Sequence, residues 1–132
     1  MHTTACNVAR TDLEILETWL TAAREEGLAD TYAGKRAHPR MIWVVPATLE
    51  ILDPDRPAAP AYIYTSDISR GGMGLRCRQP VELFAQVRIT LDETGESLCG
   101  QVRHCTPIPT GFIVGIEFEL QDGETLMLRK SA

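Results

Sequence analysis

The chain has 132 residues, a net charge of −5 and an apolar fraction of 44%, which fits one domain with a real core. No apolar run approaches the roughly 18–20 residues needed to cross a bilayer, and Met1-His2-Thr3-Thr4-Ala5-Cys6-Asn7 has no basic start followed by an apolar stretch, so it does not read as a secretory signal. The acidic balance argues against DNA or RNA as a partner; a cytoplasmic protein without membrane insertion is expected.

Residues 12–26 read as an amphipathic helix. Thr11 with Glu14 three residues later is a capping box, and Gly27 is the natural stop. Leu13, Ile15, Leu16, Trp19, Leu20, Ala22 and Ala23 fall within about half of the circumference. That arc is wider than a coiled-coil seam. Part of it is expected to pack on the remainder of the chain, and part to pair with a second copy or a partner protein. Its polar face carries mostly acids (Glu14, Glu17, Glu25), which anionic lipids repel.

From residue 41 the period changes to two. Val87, Ile89 and Leu91 alternate with Gln86, Arg88 and Thr90. Further strands are expected at about 41–52, 61–66, 73–78, 97–106 and 111–119. Asp53-Pro54-Asp55, Arg70-Gly71-Gly72, Glu93-Thr94-Gly95 and Pro107-Ile108-Pro109 separate them. Six short strands at this spacing suggest a closed antiparallel barrel. Residues 123–130 are expected to form a short C-terminal helix. The division is then an N-terminal helical extension, residues 1–30, and a mainly β barrel domain, residues 31–132.

Four cysteines, Cys6, Cys77, Cys99 and Cys105, form no Cys-x-x-Cys pair. A zinc site would want closer pairs and more histidines, so these are read as buried or half-buried thiols. No metal or cofactor is expected. Catalysis would need a metal cluster or paired catalytic acids, and the sequence offers neither. His38 has no nucleophile beside it, and Trp19 and Trp43 read as packing residues.

Charge is unevenly placed. Residues 10–30 carry Asp12, Glu14, Glu17, Glu25, Glu26 and Asp30 against Arg10 and Arg24, whereas 35–40 carry Lys35, Arg36, His38 and Arg40 with no acid. Arg36 and Arg40 are four apart, and Pro39 keeps that segment out of a helix. Asp67-Ile68-Ser69-Arg70-Gly71-Gly72 reads as the turn between two strands, its glycines supplying positive φ. Arginine binds phosphate, or the Hoogsteen edge of guanine, with two parallel hydrogen bonds. A carboxylate accepts from the N1–H and N2–H₂ groups that guanine presents and adenine lacks. A serine hydroxyl completes a polar shell. The set suits a small ligand carrying guanine and phosphate together.

An Arg-x-x-x-Arg segment before a barrel, followed about thirty residues later by Asp-x-Ser-x-x-Gly, resembles the PilZ family. Phe112-Ile113-Val114-Gly115-Ile116-Glu117-Phe118 is similar to that family's last barrel strand, and the likeness covers about residues 35–119. The resemblance implies a PilZ-type barrel that receives cyclic di-GMP, changes conformation and relays the signal to a downstream partner. It assigns Arg36 and Arg40 to phosphates and guanines, Asp67 and Ser69 to a guanine and its neighbouring phosphate, and Gly72 to a close turn. Lys35, Arg70 and Gly71 stand beside them as additional contacts. Residues 30–40 hold few large apolar side chains, so ligand is expected to order them. The alternative is a protein–protein adaptor on the same fold that binds no nucleotide and works through its apolar helix.

Overall fold

The computed structural model describes residues 10–26, 28–29, 40–55 and 59–121. One helix, α1 (Asp12–Glu26), is followed by β1 (Leu28–Ala29), β2 (Met41–Ile42), β3 (Pro46–Ile51), β4 (Ala61–Ile68), β5 (Gly72–Cys77), β6 (Gln86–Leu91), β7 (Ser97–Ile108) and β8 (Gly111–Phe118). The expected C-terminal helix and the Gly27 stop lie outside the described residues.

The strand order β4-β3-β6-β7-β8-β5 returns to β4 through a β4–β5 pairing, which closes a six-stranded antiparallel barrel. Closure leaves no edge among these six strands. The short β1 and β2 continue outward from β4, with Met41 opposite Ile68 and Ile42 opposite Asp67.

Alternation fills the barrel. Ala47, Leu49, Ile63, Met73, Leu75, Val87, Ile89, Leu98, Val102, Val114 and Ile116 are all buried, each on the inward face of its strand. The helix adds to this same core from one end. Ile15, Leu16, Trp19, Leu20 and Ala23 join the barrel residues in one apolar cluster. The indoles of Trp19 and Trp43 meet there, ring centroids 6.2 Å apart. Extension and barrel therefore share a core. Leu13, expected on the apolar arc, is 53% exposed; it sits at the edge of the buried stripe rather than within it.

The capping box forms as the sequence predicts. The Glu14 amide donates to Thr11 Oγ1 at 3.1 Å, and the Thr11 amide donates to Glu14 Oε1 at 2.8 Å. That backbone bond from Thr11 holds the Glu14 carboxyl below its ordinary range.

Three boundaries differ from expectation. The single strand expected over 41–52 is split into β2 and β3. The buried Thr65 hydroxyl donates to the Trp43 carbonyl at 2.5 Å and accepts from the Val45 amide at 2.9 Å, filling the step between them. Pro46, without an N–H, then begins β3. The strand placed at 97–106 runs on to Ile108, with Pro107 opposite Phe112, so the turn falls at Pro109–Thr110. The strand placed at 61–66 extends through Ile68, with a bulge between Thr65 and Asp67.

Candidate ligand-binding site

The β2–β4 register decides which parts of the two sequence motifs meet. With Met41 opposite Ile68 and Ile42 opposite Asp67, Arg40 enters beside the end of β4. Its Nη1 donates to Asp67 Oδ1 at 3.0 Å, both side chains being about three-quarters buried, 28% and 22% exposed. Twenty-seven positions of sequence are thus brought to one ion pair.

The bulge between Thr65 and Asp67 re-aims the chain. Asp67 faces Gly74 across β5, and the Gly74 amide donates to Asp67 Oδ1 at 3.0 Å. Oδ1 thus accepts two bonds, while Oδ2 accepts none from any described residue. A Cβ on Gly74 would sit 3.0 Å from Oδ1, so glycine lets the carboxylate lie close over the sheet.

Asp67 and Ile68 belong to β4, so the turn proper is Ser69-Arg70-Gly71, which corrects the expectation that the whole motif is a turn. The Ser69 amide donates to the Gly72 carbonyl at 2.8 Å. The Ser69 hydroxyl is buried, donates to that carbonyl at 3.4 Å and accepts from the Gly71 amide at 3.3 Å. Among described glycines only Gly95 and Gly111 have positive φ, so Gly71 and Gly72 are not there to supply it. Gly72 is required for space: a Cβ would lie 2.0 Å from the Ile116 carbonyl oxygen on β8.

Arg70 pairs with Glu17 on α1. The turn is thereby tied to the helix. A second tie runs through β2, because Trp43 follows Ile42 and packs on Trp19. Arg40, Asp67, Ser69, Arg70, Gly71 and Gly72 are therefore one locale. Lys35 and Arg36 lie outside the described residues.

A family model, the PilZ domain, matches residues 34–130. This chain belongs to the PilZ family. The match takes in both motifs and the whole barrel, and begins after α1. No curated protein matches the chain significantly.

Two features of this PilZ domain were not singled out from sequence. Thr65 holds the β2–β3 step, and a lone threonine in an alternating strand gives no sign of that. Gly74 does leave a signal: Gly72 and Gly74 share one face of β5, and two glycines spaced by two on a strand mark a close approach. Among the described residues no group of three or more His, Cys, Asp or Glu side chains could hold a metal ion, and no helix is long and apolar enough to cross a membrane.

Proposed function

We propose that this PilZ domain binds cyclic di-GMP, does no chemistry on it, and relays its capture through α1 to a downstream partner. The observation that carries the reading is the state of Asp67. Its Oδ1 is fixed by Arg40 and the Gly74 amide, which orients the carboxylate and leaves Oδ2 to accept from guanine N1–H and N2–H₂. Arg40 spends one of its five N–H donors on Asp67, and the others can meet guanine or phosphate. Arg36, four residues upstream, supplies the second arginine. Ser69 and the backbone of the turn complete the polar shell, and Gly72 permits the turn to approach β8.

A relay is supported by the two ties to the helix. A ligand phosphate near the turn competes with Glu17 for Arg70. Movement of β2 on binding reaches Trp19 through Trp43. The helix is thus placed to respond, and its exposed Leu13 and acidic face are available to a partner.

Calorimetric titration tests the reading. Cyclic di-GMP should bind with micromolar affinity or better, about −8 kcal/mol. Cyclic di-AMP should bind more weakly by about 1–3 kcal/mol, because it lacks the donors that Asp67 accepts from. Arg36→Ala and Arg40→Ala should each cost at least about 2 kcal/mol of binding. A folded wild-type protein that binds neither nucleotide refutes the proposal.

A further inference from the structure

Beside the Trp19–Trp43 contact lies a cavity of about 250 Å³. Three elements wall it: one face of α1, the β2–β3 step and the turn after β6. On the helix, Thr18, Trp19, Ala22 and Glu26 fall within about 100° of the circumference. Arg40, Asp67, Ser69 and the turn glycines do not line it, so the cavity is separate from the site already described and does not depend on the cyclic di-GMP reading.

The walls are mainly apolar: Trp19, Ala22, Trp43, Val45, Pro46 and Leu91. Two of these residues also carry the unmet polar groups of the region. Trp19 and Trp43 are only 1% and 4% exposed, and neither indole Nε1 has a hydrogen-bond partner among the described residues. An indole N–H donates and does not accept, and a buried donor without an acceptor is costly. The hydroxyls at the edge are already engaged. That of Thr18 donates to the Glu14 carbonyl at 3.1 Å, and that of Thr94 accepts from the Glu96 amide at 3.2 Å. A resident water wants about three polar partners, which walls of this kind do not supply. An apolar body carrying one acceptor suits them better.

The mouth adds a rule of exclusion. Glu26 and Glu93 are exposed and have no ion-pair partner among the described residues, while Glu96 is paired with Arg10. Three carboxylates against one guanidinium repel anions, so carboxylates and phosphates, cyclic di-GMP included, are disfavoured here.

We propose that this cavity is a second binding site, for a small neutral molecule that carries a carbonyl group: its apolar body fills the space beside Ala22, Val45 and Leu91, and its oxygen accepts from the unpaired indoles. A dry cavity of about 150 Å³ holds benzene, so about 250 Å³ admits roughly ten non-hydrogen atoms, the size of a monocyclic aromatic ketone.

The chain has two tryptophans, and both line the cavity, so the indole Nε1–H resonances of the full chain report on this site alone. The test is an NMR titration with acetophenone at neutral pH. Both indole protons should move downfield, as N–H protons do on gaining an acceptor, with half-saturation below about 1 mM. Benzoate, which is similar in size but anionic, should bind at least about tenfold more weakly. Ala22→Leu, which fills the cavity from the helix side, should abolish the shifts while far-UV circular dichroism and thermal unfolding show the fold retained. If Ala22→Leu does not fold, the same loss should appear in Ala22→Val. Indole protons that already lie downfield in the free protein and do not move with acetophenone would mean that a bound water satisfies them, and the proposal is wrong. Equal shifts with benzoate, or shifts that persist in the folded Ala22 variant, also overturn it.

Discussion

The two ends of the barrel are built differently. At one end lie the motif turn, the β2–β3 step and α1, drawn together by the Trp19–Trp43 contact and the Arg70–Glu17 pair. At the other, a cavity of about 780 Å³ opens between the strands, lined by Leu49, Ile51, Ile63, Cys77, Val81 and Ile108 among others. The helix end is covered, yet its polar groups are not fully satisfied. The indole N–H groups of Trp19 and Trp43 are buried without a hydrogen-bond partner among the described residues, each at a cost of about 1–3 kcal/mol. Apolar burial holds the helix there against that cost. A cavity of about 250 Å³, lined by Trp19, Trp43, Val45 and Leu91 among others, lies beside this contact.

The sharpest way to break this comparison is to truncate a large side chain at each end. Trp19→Ala should destabilise the fold by about 3–5 kcal/mol in urea unfolding, because the indole is fully buried in the shared core. Tyr62→Ala, on β4 at the far end and 85% exposed, should change stability by less than about 0.5 kcal/mol. Similar effects would mean that α1 is not part of the core.

Asp67→Ala should have an intermediate effect on the free protein, about 1–2 kcal/mol, since it leaves the Gly74 amide without its acceptor. The barrel should still fold, because Asp67 lies outside the apolar core. Circular dichroism with a thermal scan checks both statements.

Glu17→Gln should alter stability by no more than about 0.5 kcal/mol, the usual worth of an exposed pair. It frees Arg70, so cyclic di-GMP affinity should rise about twofold. Unchanged affinity, read by calorimetry, would separate the turn from the helix.

The smallest effect expected is chemical. Burial pushes the Cys77 thiol up to about 11, so thiolate is scarce at neutral pH. The raised value means the folded state holds this proton more tightly. Alkylation of the Cys77 peptide, followed by mass spectrometry, should be slow at pH 8 and should quicken about tenfold per pH unit until roughly pH 11. Rapid labelling at pH 7 would show that the far end is not as apolar as described.

The sequence made α1 legible because its signals agree: a capping box, a 3.6-residue period and a breaker at Gly27. The barrel was legible through alternation and its turn residues. The errors lie where a side chain, rather than a pattern, sets the backbone. Met41 to Val45 is an uninterrupted apolar run, and nothing in it announces that Thr65 will fill a step between Trp43 and Val45. Pro107 looked like a break, but the hairpin turned two residues later. In the site, Asp67, Ser69 and Gly72 were legible as chemistry, and the reason for Gly72 was not: the requirement comes from the Ile116 carbonyl on a strand more than forty residues away. The Arg70–Glu17 pair likewise depends on how α1 docks beside the turn after β4, which no local window contains.

The most direct test of the central claim is a calorimetric comparison of cyclic di-GMP and cyclic di-AMP on wild type and Asp67→Ala. The account predicts that wild type prefers cyclic di-GMP by roughly 1–3 kcal/mol and that Asp67→Ala binds the two ligands equally, with cyclic di-AMP affinity little changed. A wild-type protein indifferent to the base, or an Asp67→Ala variant that keeps its preference for guanine, would contradict it.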